Sequence, residues 1–245
     1  MYAAFARLLS SFSITRFELL LHTQGTSADF CTWALKLKDV IPTYPTIGEN
    51  MNGIIERGIN EDDFLVTEIR LNAISSCIIN YTSSTEYFLV DLIKWKLRDK
   101  RLLRRAMDLK DIAIKKFDII EFEDIEKLRE KYINHLAGEF SFGTLWSKKL
   151  GNTHKLFDLS FDKHSNVIKS IDSVWEQRNK LAHLNRINHL PMSFTDLNGD
   201  NLEIKDLKDN DDYLKFCIEL IKTINASLDM LDKFQQRIME KWLNF

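Results

Sequence analysis

The chain has 245 residues, room for one large domain or two small ones. Its 8 glycines and 3 prolines are well under half of the roughly 12% that average usage gives, while 44% hydrophobic and 29% charged residues are too apolar for disorder and too evenly charged for a membrane protein. A net charge of −2 leaves no global electrostatic footprint for nucleic acid, so composition points to a soluble, mostly α-helical protein and is silent on function.

The first segment, MYAAFARLLSSFSITRFELLL, reads as an amphipathic helix. Arg7, Arg16 and Glu18 interrupt its apolar residues, and no run approaches the roughly 20 residues of a membrane span. Pro42, Pro45, Gly48, Gly53 and Gly58 then mark a break, which divides the chain into an N-terminal helical segment and linker, 1–60, and a helical domain, 61–245. From 62 to 98 there is no Gly or Pro, and the spacing predicts one long helix with a bend at Ser83 or Ser84. Further helices are expected at about 100–117, 122–137, 144–150, 165–189 and 209–243, with Gly138, Gly143 and Gly151 as turns and Pro191 as the second break. Asp209, Asp211 and Asp212 suit the positive end of the last helix.

Cys31, Cys77 and Cys217 are odd in number and form no Cys-x-x-Cys pair, so a reducing, cytoplasmic setting is expected and a disulfide framework is not. His22, His135, His154, His164 and His189 are scattered, without carboxylates or thiols at ligand spacing. The triplet Glu61, Asp62 and Asp63 reads as helix N-terminal charge. No metal or other cofactor is therefore expected. Charge is nonetheless uneven. Lys94, Lys96, Arg98, Lys100, Arg101, Arg104 and Arg105 fall within twelve residues against one acid, Asp99, whereas 196–212 is acidic. The basic run reads either as a solvated helix face or as a phosphate-binding surface.

The segment FDKHSNVIKSIDSVWEQRNKLAHLN offers Ser165 as N-cap and an apolar face through Ile168, Ile171, Val174, Trp175, Leu181 and Ala182. Arg178 falls on that face, where an aliphatic residue belongs. A guanidinium there requires a carboxylate, a phosphate or several acceptors. A second stripe carries Asp172, Glu176, Asn179 and His183. Five residues turn a helix by roughly 500°, so Arg178 and His183 stand about 140° apart. They meet only if the helix ends between them or a second copy completes the site.

Loose Arg-x4-6-His patterns are common by chance, at roughly 0.9 per chain of this composition, and Arg16/His22 and Arg129/His135 also fit. Requiring Asn after the Arg lowers the expectation to roughly 0.06 and leaves Arg178 alone. The run from Trp175 to His183 resembles the Arg-x4-6-His signature of HEPN domains in its Arg-Asn form, and 62–240 resembles the HEPN region of stand-alone defence and toxin proteins. The resemblance implies an all-α, HEPN-like helical bundle and a metal-independent endoribonuclease of a toxin-antitoxin or abortive-infection system. It also implies a homodimer with a composite active site, and an antitoxin or sensor protein as partner. Leu184 stands where many relatives carry Gly, and Asn185 where one subgroup carries a nucleotidylated Tyr. Family members commonly face the motif with a polar residue from an early helix; Glu86 matches that position, or else lies on the exposed face of its helix.

RNA brings its own nucleophile, the 2′-hydroxyl, so cleavage needs proton transfer and positive charge on the phosphate. On that reading His183 moves protons, Arg178 holds the phosphate oxygens, and Asn179 orients the phosphate or the imidazole. Asp172 and Glu86 support them, and the products are 2′,3′-cyclic phosphate and 5′-hydroxyl ends. The seven basic residues would track the RNA backbone, with Trp95 as a stacking surface. Two rival readings are a non-catalytic HEPN nucleotide- or RNA-binding module and a structural helical partner protein, the latter favoured if the basic run packs against the acidic stretch.

Overall fold

The first described helix, α1 (Phe64–Lys96), runs unbroken for 33 residues, about 50 Å at 1.5 Å per residue. The computed structural model describes residues 64–112, 124–183 and 192–243; the 1–60 segment, with His22, Cys31 and the Glu61, Asp62 and Asp63 triplet following it, and His189 lie outside the described residues. The burial pattern explains the length of α1: Ile74, Cys77, Ile78, Tyr81, Phe88, Leu89, Leu92 and Ile93 are buried at steps of three, four and seven. Thr82 and Thr85 return their hydroxyls to the carbonyls of Ile78 and Tyr81 and so enter the interior satisfied.

Five more helices and a hairpin follow: α2 (Lys100–Lys110), α3 (Ile125–Ser141), α4 (Trp146–Phe157), α5 (Asn166–His183), β1 (Met192–Thr195), β2 (Asn201–Ile204) and α6 (Asn210–Leu243). Of the described residues 76% are helical, and the fold belongs to the all-α class. The starts of α2, α3, α5 and α6 are each capped by a short polar side chain. Asp99 accepts from the Arg101 amide, Asp124 from Glu126, Ser165 from Ile168, and Asp209 from Asp211 and Asp212.

The ends differ from expectation. Gly138 and Gly151 do not mark turns; they lie inside α3 and α4, leaving only Gly143 in a connection. Helices α2 and α4 instead stop at Asp111 and Asp158, held in the left-handed region at φ 51° and 55°. There the following amides, of Ile112 and Leu159, reach back to the Met107 and His154 carbonyls. The expected 100–117 helix thus ends at Lys110, and the expected 144–150 helix extends to Phe157.

The hairpin was not expected from the composition. Its strands pair antiparallel, from Met192 opposite Ile204 to Thr195 opposite Asn201. The turn between them is closed by Asp196, whose carboxylate accepts from the amides of Asn198 and Asp200, while Gly199 takes φ 96°. The hairpin hangs on α5 through the Thr195 amide, which donates to Ser173 Oγ at 2.8 Å.

Helix α5 is the centre of the molecule. It packs against α1, α4, α6 and β1, with Ile168, Ile171, Val174 and Trp175 buried and Ser170 bonded to Thr223 of α6. Cys77 and Cys217 are free buried thiols, and burial pushes both up to about 12. Among the described residues, no helix is long and apolar enough to cross a membrane.

Candidate functional site

One side of α5 grips the connection between α3 and α4 at three successive levels. Asp172 Oδ1 accepts from the Ser147 amide at 2.8 Å. It thereby caps α4, whose own N-cap residue, Leu145, offers no side-chain acceptor. Trp175 stacks on Trp146 with ring centroids 4.9 Å apart and meets Tyr81 edge-on at 6.4 Å. Asn179 Nδ2 donates to the Thr144 carbonyl at 3.2 Å. Positions 172, 175 and 179 repeat at three and four, so one helix face fixes the whole connection. Gly143 makes the close approach, since a Cβ there would stand 3.0 Å from Lys148 Cβ and 3.3 Å from the Lys149 amide nitrogen.

That grip presents Lys149 to Glu86. The Lys149 side chain is only 9% exposed. Its ammonium lies 2.9 Å from Glu86 Oε1, donates to the Ser141 carbonyl at 3.2 Å, and sits 5.9 Å from the Trp175 ring centroid. The other Glu86 oxygen faces Arg178 Nη2 at 3.8 Å, beyond hydrogen-bond reach. Arg178 Nη1 donates to Asn179 Oδ1 at 3.2 Å. With its side chain 31% exposed, Arg178 is half-buried rather than sunk in the core, and most of its five N–H donors have no acceptor among the described residues. One carboxylate thus faces two cations, leaving a local excess of one positive charge beside open solvent.

Of the residues singled out by sequence, Arg178, Asn179 and Glu86 come together. Asp172 lies two turns away and caps α4. Helix α5 remains helical through His183, so the chain does not bend between Arg178 and His183; the His183 side chain lies outside the described residues. Lys149 was missed. Its signal was the same as that of Arg178: Trp146, Lys149, Leu150 and Thr153 are spaced as one buried face, and the cation stands where an aliphatic residue belongs.

The basic run divides. Lys96 is turned inward, 5% exposed, with its ammonium over the Trp95 ring at 4.4 Å. Burial lowers the Lys96 pKa, against the opposing pull of Asp99. Both Lys96 and the Trp95 face it covers are therefore withdrawn from the surface expected for RNA. Arg105 is drawn to the end of α4, donating to the Leu156 carbonyl at 3.0 Å beside Asp158. Arg98 pairs with Glu130 and Arg101 with Asp99. Lys100 and Arg104 are exposed and Lys94 is half-buried. Arg101, Arg104 and Arg105 line a shallow depression of about 380 Å³ together with Asp108 and Leu109. Among the described residues the run pairs with Asp99, Glu130 and Asp158, not with the acidic 196–212 stretch.

Among the described residues no group of three or more His, Cys, Asp or Glu side chains is placed to hold a metal ion. The chain matches no protein-family model, no curated protein and no solved structure.

Proposed function

We propose that the protein is a metal-independent endoribonuclease of the HEPN type, acting as a homodimer in a toxin-antitoxin or abortive-infection system. The observation that carries this reading is the half-exposed Arg178, held by Asn179 and facing Glu86 without a hydrogen bond to it. A guanidinium so placed has donors free for the non-bridging oxygens of a phosphodiester. Asn179, tied to the Thr144 carbonyl, works as the bracket that orients Arg178.

In the proposed reaction the substrate's 2′-hydroxyl attacks the adjacent phosphorus, a histidine takes its proton, and Arg178 balances the charge gathering on the phosphorane. A second histidine returns a proton to the departing 5′-oxygen. An unbroken α5 sets Arg178 and His183 about 140° apart, so one copy does not bring both to the same phosphate. Two copies with facing α5 ends would, each His183 serving as acid or base. Arg101 and Arg104 then extend the site along the RNA backbone. An antitoxin or a sensor protein would restrain the activity.

The test is cleavage of RNA by purified protein in EDTA, with product ends assigned. Arg178→Ala and His183→Ala should each abolish cleavage while circular dichroism stays unchanged; full cleavage by both would overturn the proposal. A second reading, RNA binding without cleavage, is favoured by the Lys149 and Glu86 pair, which uses protein charge to satisfy protein charge. Saturable RNA binding with no product would select it.

A further inference from the structure

A cavity of about 510 Å³ opens between the start of α5, the middle of α6 and the α4–α5 connection, away from the Arg178 site and within the size range of small-molecule sites. Its inner wall is apolar, made by Phe161, Ile168, Met230 and Phe234. One polar group interrupts that wall. His154 is 6% exposed, its ring stacked on Phe234 at 4.2 Å and tilted against Phe161 at 4.8 Å. Its Nδ1 lies 2.9 Å from the Leu150 carbonyl and must donate to it. The remaining nitrogen, Nε2, is then an acceptor, with no donor among the described residues. Burial, reinforced by nearby Arg237, lowers His154 to about 4, so the ring is neutral near pH 7. Without a protein donor, yet not sealed from solvent, that acceptor is open to a hydrogen-bond donor entering the cavity.

The rim carries both signs. Lys233 and Arg237 lie on one helix, with Arg237 held by Ser160 Oγ at 3.0 Å. Beside them is the start of α5, where Ser165 caps the Ile168 amide and the Asn166 and Val167 amides have no helical acceptor. Asp162 and Asp229 stand at the same rim. An anion alone would meet those carboxylates, and a cation alone would meet Lys233, Arg237 and the helix dipole. A zwitterion satisfies both.

We propose that this cavity binds a free aromatic α-amino acid bearing a ring donor, its ring among Phe161, Ile168 and Met230 and its N–H or O–H on His154 Nε2. The carboxylate faces Arg237 and the first turn of α5, and the ammonium faces the rim aspartates. The ligand's ring donor supplies specificity, because an analogue that covers this acceptor without offering a donor takes its solvent away and returns no hydrogen bond.

Titration of the full chain with L-tryptophan, followed by ligand-observed NMR, tests this. Binding should saturate. It should weaken about tenfold for 3-benzothienyl-L-alanine, which keeps the ring shape without the N–H, and about tenfold for tryptamine, which lacks the carboxylate. His154→Phe should remove the discrimination against the benzothienyl analogue. Arg237→Gln, at an exposed position, should weaken L-tryptophan several-fold and leave tryptamine unchanged, which keeps the test decisive if His154→Phe fails to fold. Absence of saturable L-tryptophan binding, or equal binding of all three compounds, would overturn the proposal. Neither outcome bears on RNA cleavage.

Discussion

Lys149 shows how a single cation in an apolar stripe sets the energetics of its surroundings. A buried ammonium is tolerated because Glu86 and the Ser141 carbonyl meet it. Glu86→Leu leaves that charge without its partner and should cost about 3 kcal/mol of stability. Lys149→Met keeps the packed stem and removes the charge, so it should cost less than about 1 kcal/mol, and the double variant should recover most of the Glu86→Leu loss. Denaturant midpoints of the three variants check this; equal losses for both single changes would refute it. His154 is the opposite case, a neutral ring kept neutral. Its folded-state pKa, about 4, lies below the ordinary 6.5, so the unfolded chain takes up the proton first as pH falls. The stability it contributes is complete above about pH 6.5 and is lost as pH falls from there toward 4, by up to about 3 kcal/mol. His154→Phe should flatten that part of the pH–stability curve.

The two glycines near α4 behave in opposite ways. Gly143 lies where backbone passes close to the first turn of that helix, so Gly143→Ala should cost about 1–3 kcal/mol as Lys148 and Lys149 are pushed back. Gly138 lies inside α3 with nothing within 4 Å of a Cβ, and Gly138→Ala should add about 0.5–1 kcal/mol. Melting curves of the two variants shifting in the same direction would contradict this. The contrast also shows what was legible beforehand. Long helices were readable because burial imposes its period on α1, α5 and α6. The ends of α2 and α4 were not, because Asp111 and Asp158 adopt a conformation usually left to glycine. The hairpin was readable in principle from Asn198-Gly199, but its strands are only four residues long and lean on α5 for support. In the site, Arg178 was recognisable as a residue out of place, and Glu86 only through the family resemblance. Lys149 lay in a stretch expected to end at Gly151, and an unbroken α4 was needed to see its buried face.

For the whole molecule, the proposed division of acid and base between two copies makes activity depend on the square of the active-chain fraction. With His183→Ala subunits exchanged in at fourfold excess over a fixed amount of wild-type chain, cleavage should fall to about one fifth. Cleavage unaffected by the added variant would show that each copy works alone. The central position of α5 bears on when such activity can arise. Its neighbours come from far apart in sequence, α1 roughly 90 residues earlier and α6 roughly 50 later, and β1 is bonded to it in between. These contacts have high contact order and close late in folding. A chain still emerging from synthesis, with α6 not yet made, lacks the Thr223 partner of Ser170 and the surface against which α5 is buried. Arg178 and Asn179 should therefore reach the geometry described above only after the last helix has docked, and on the proposed function a chain truncated before α6 should fail to cleave RNA.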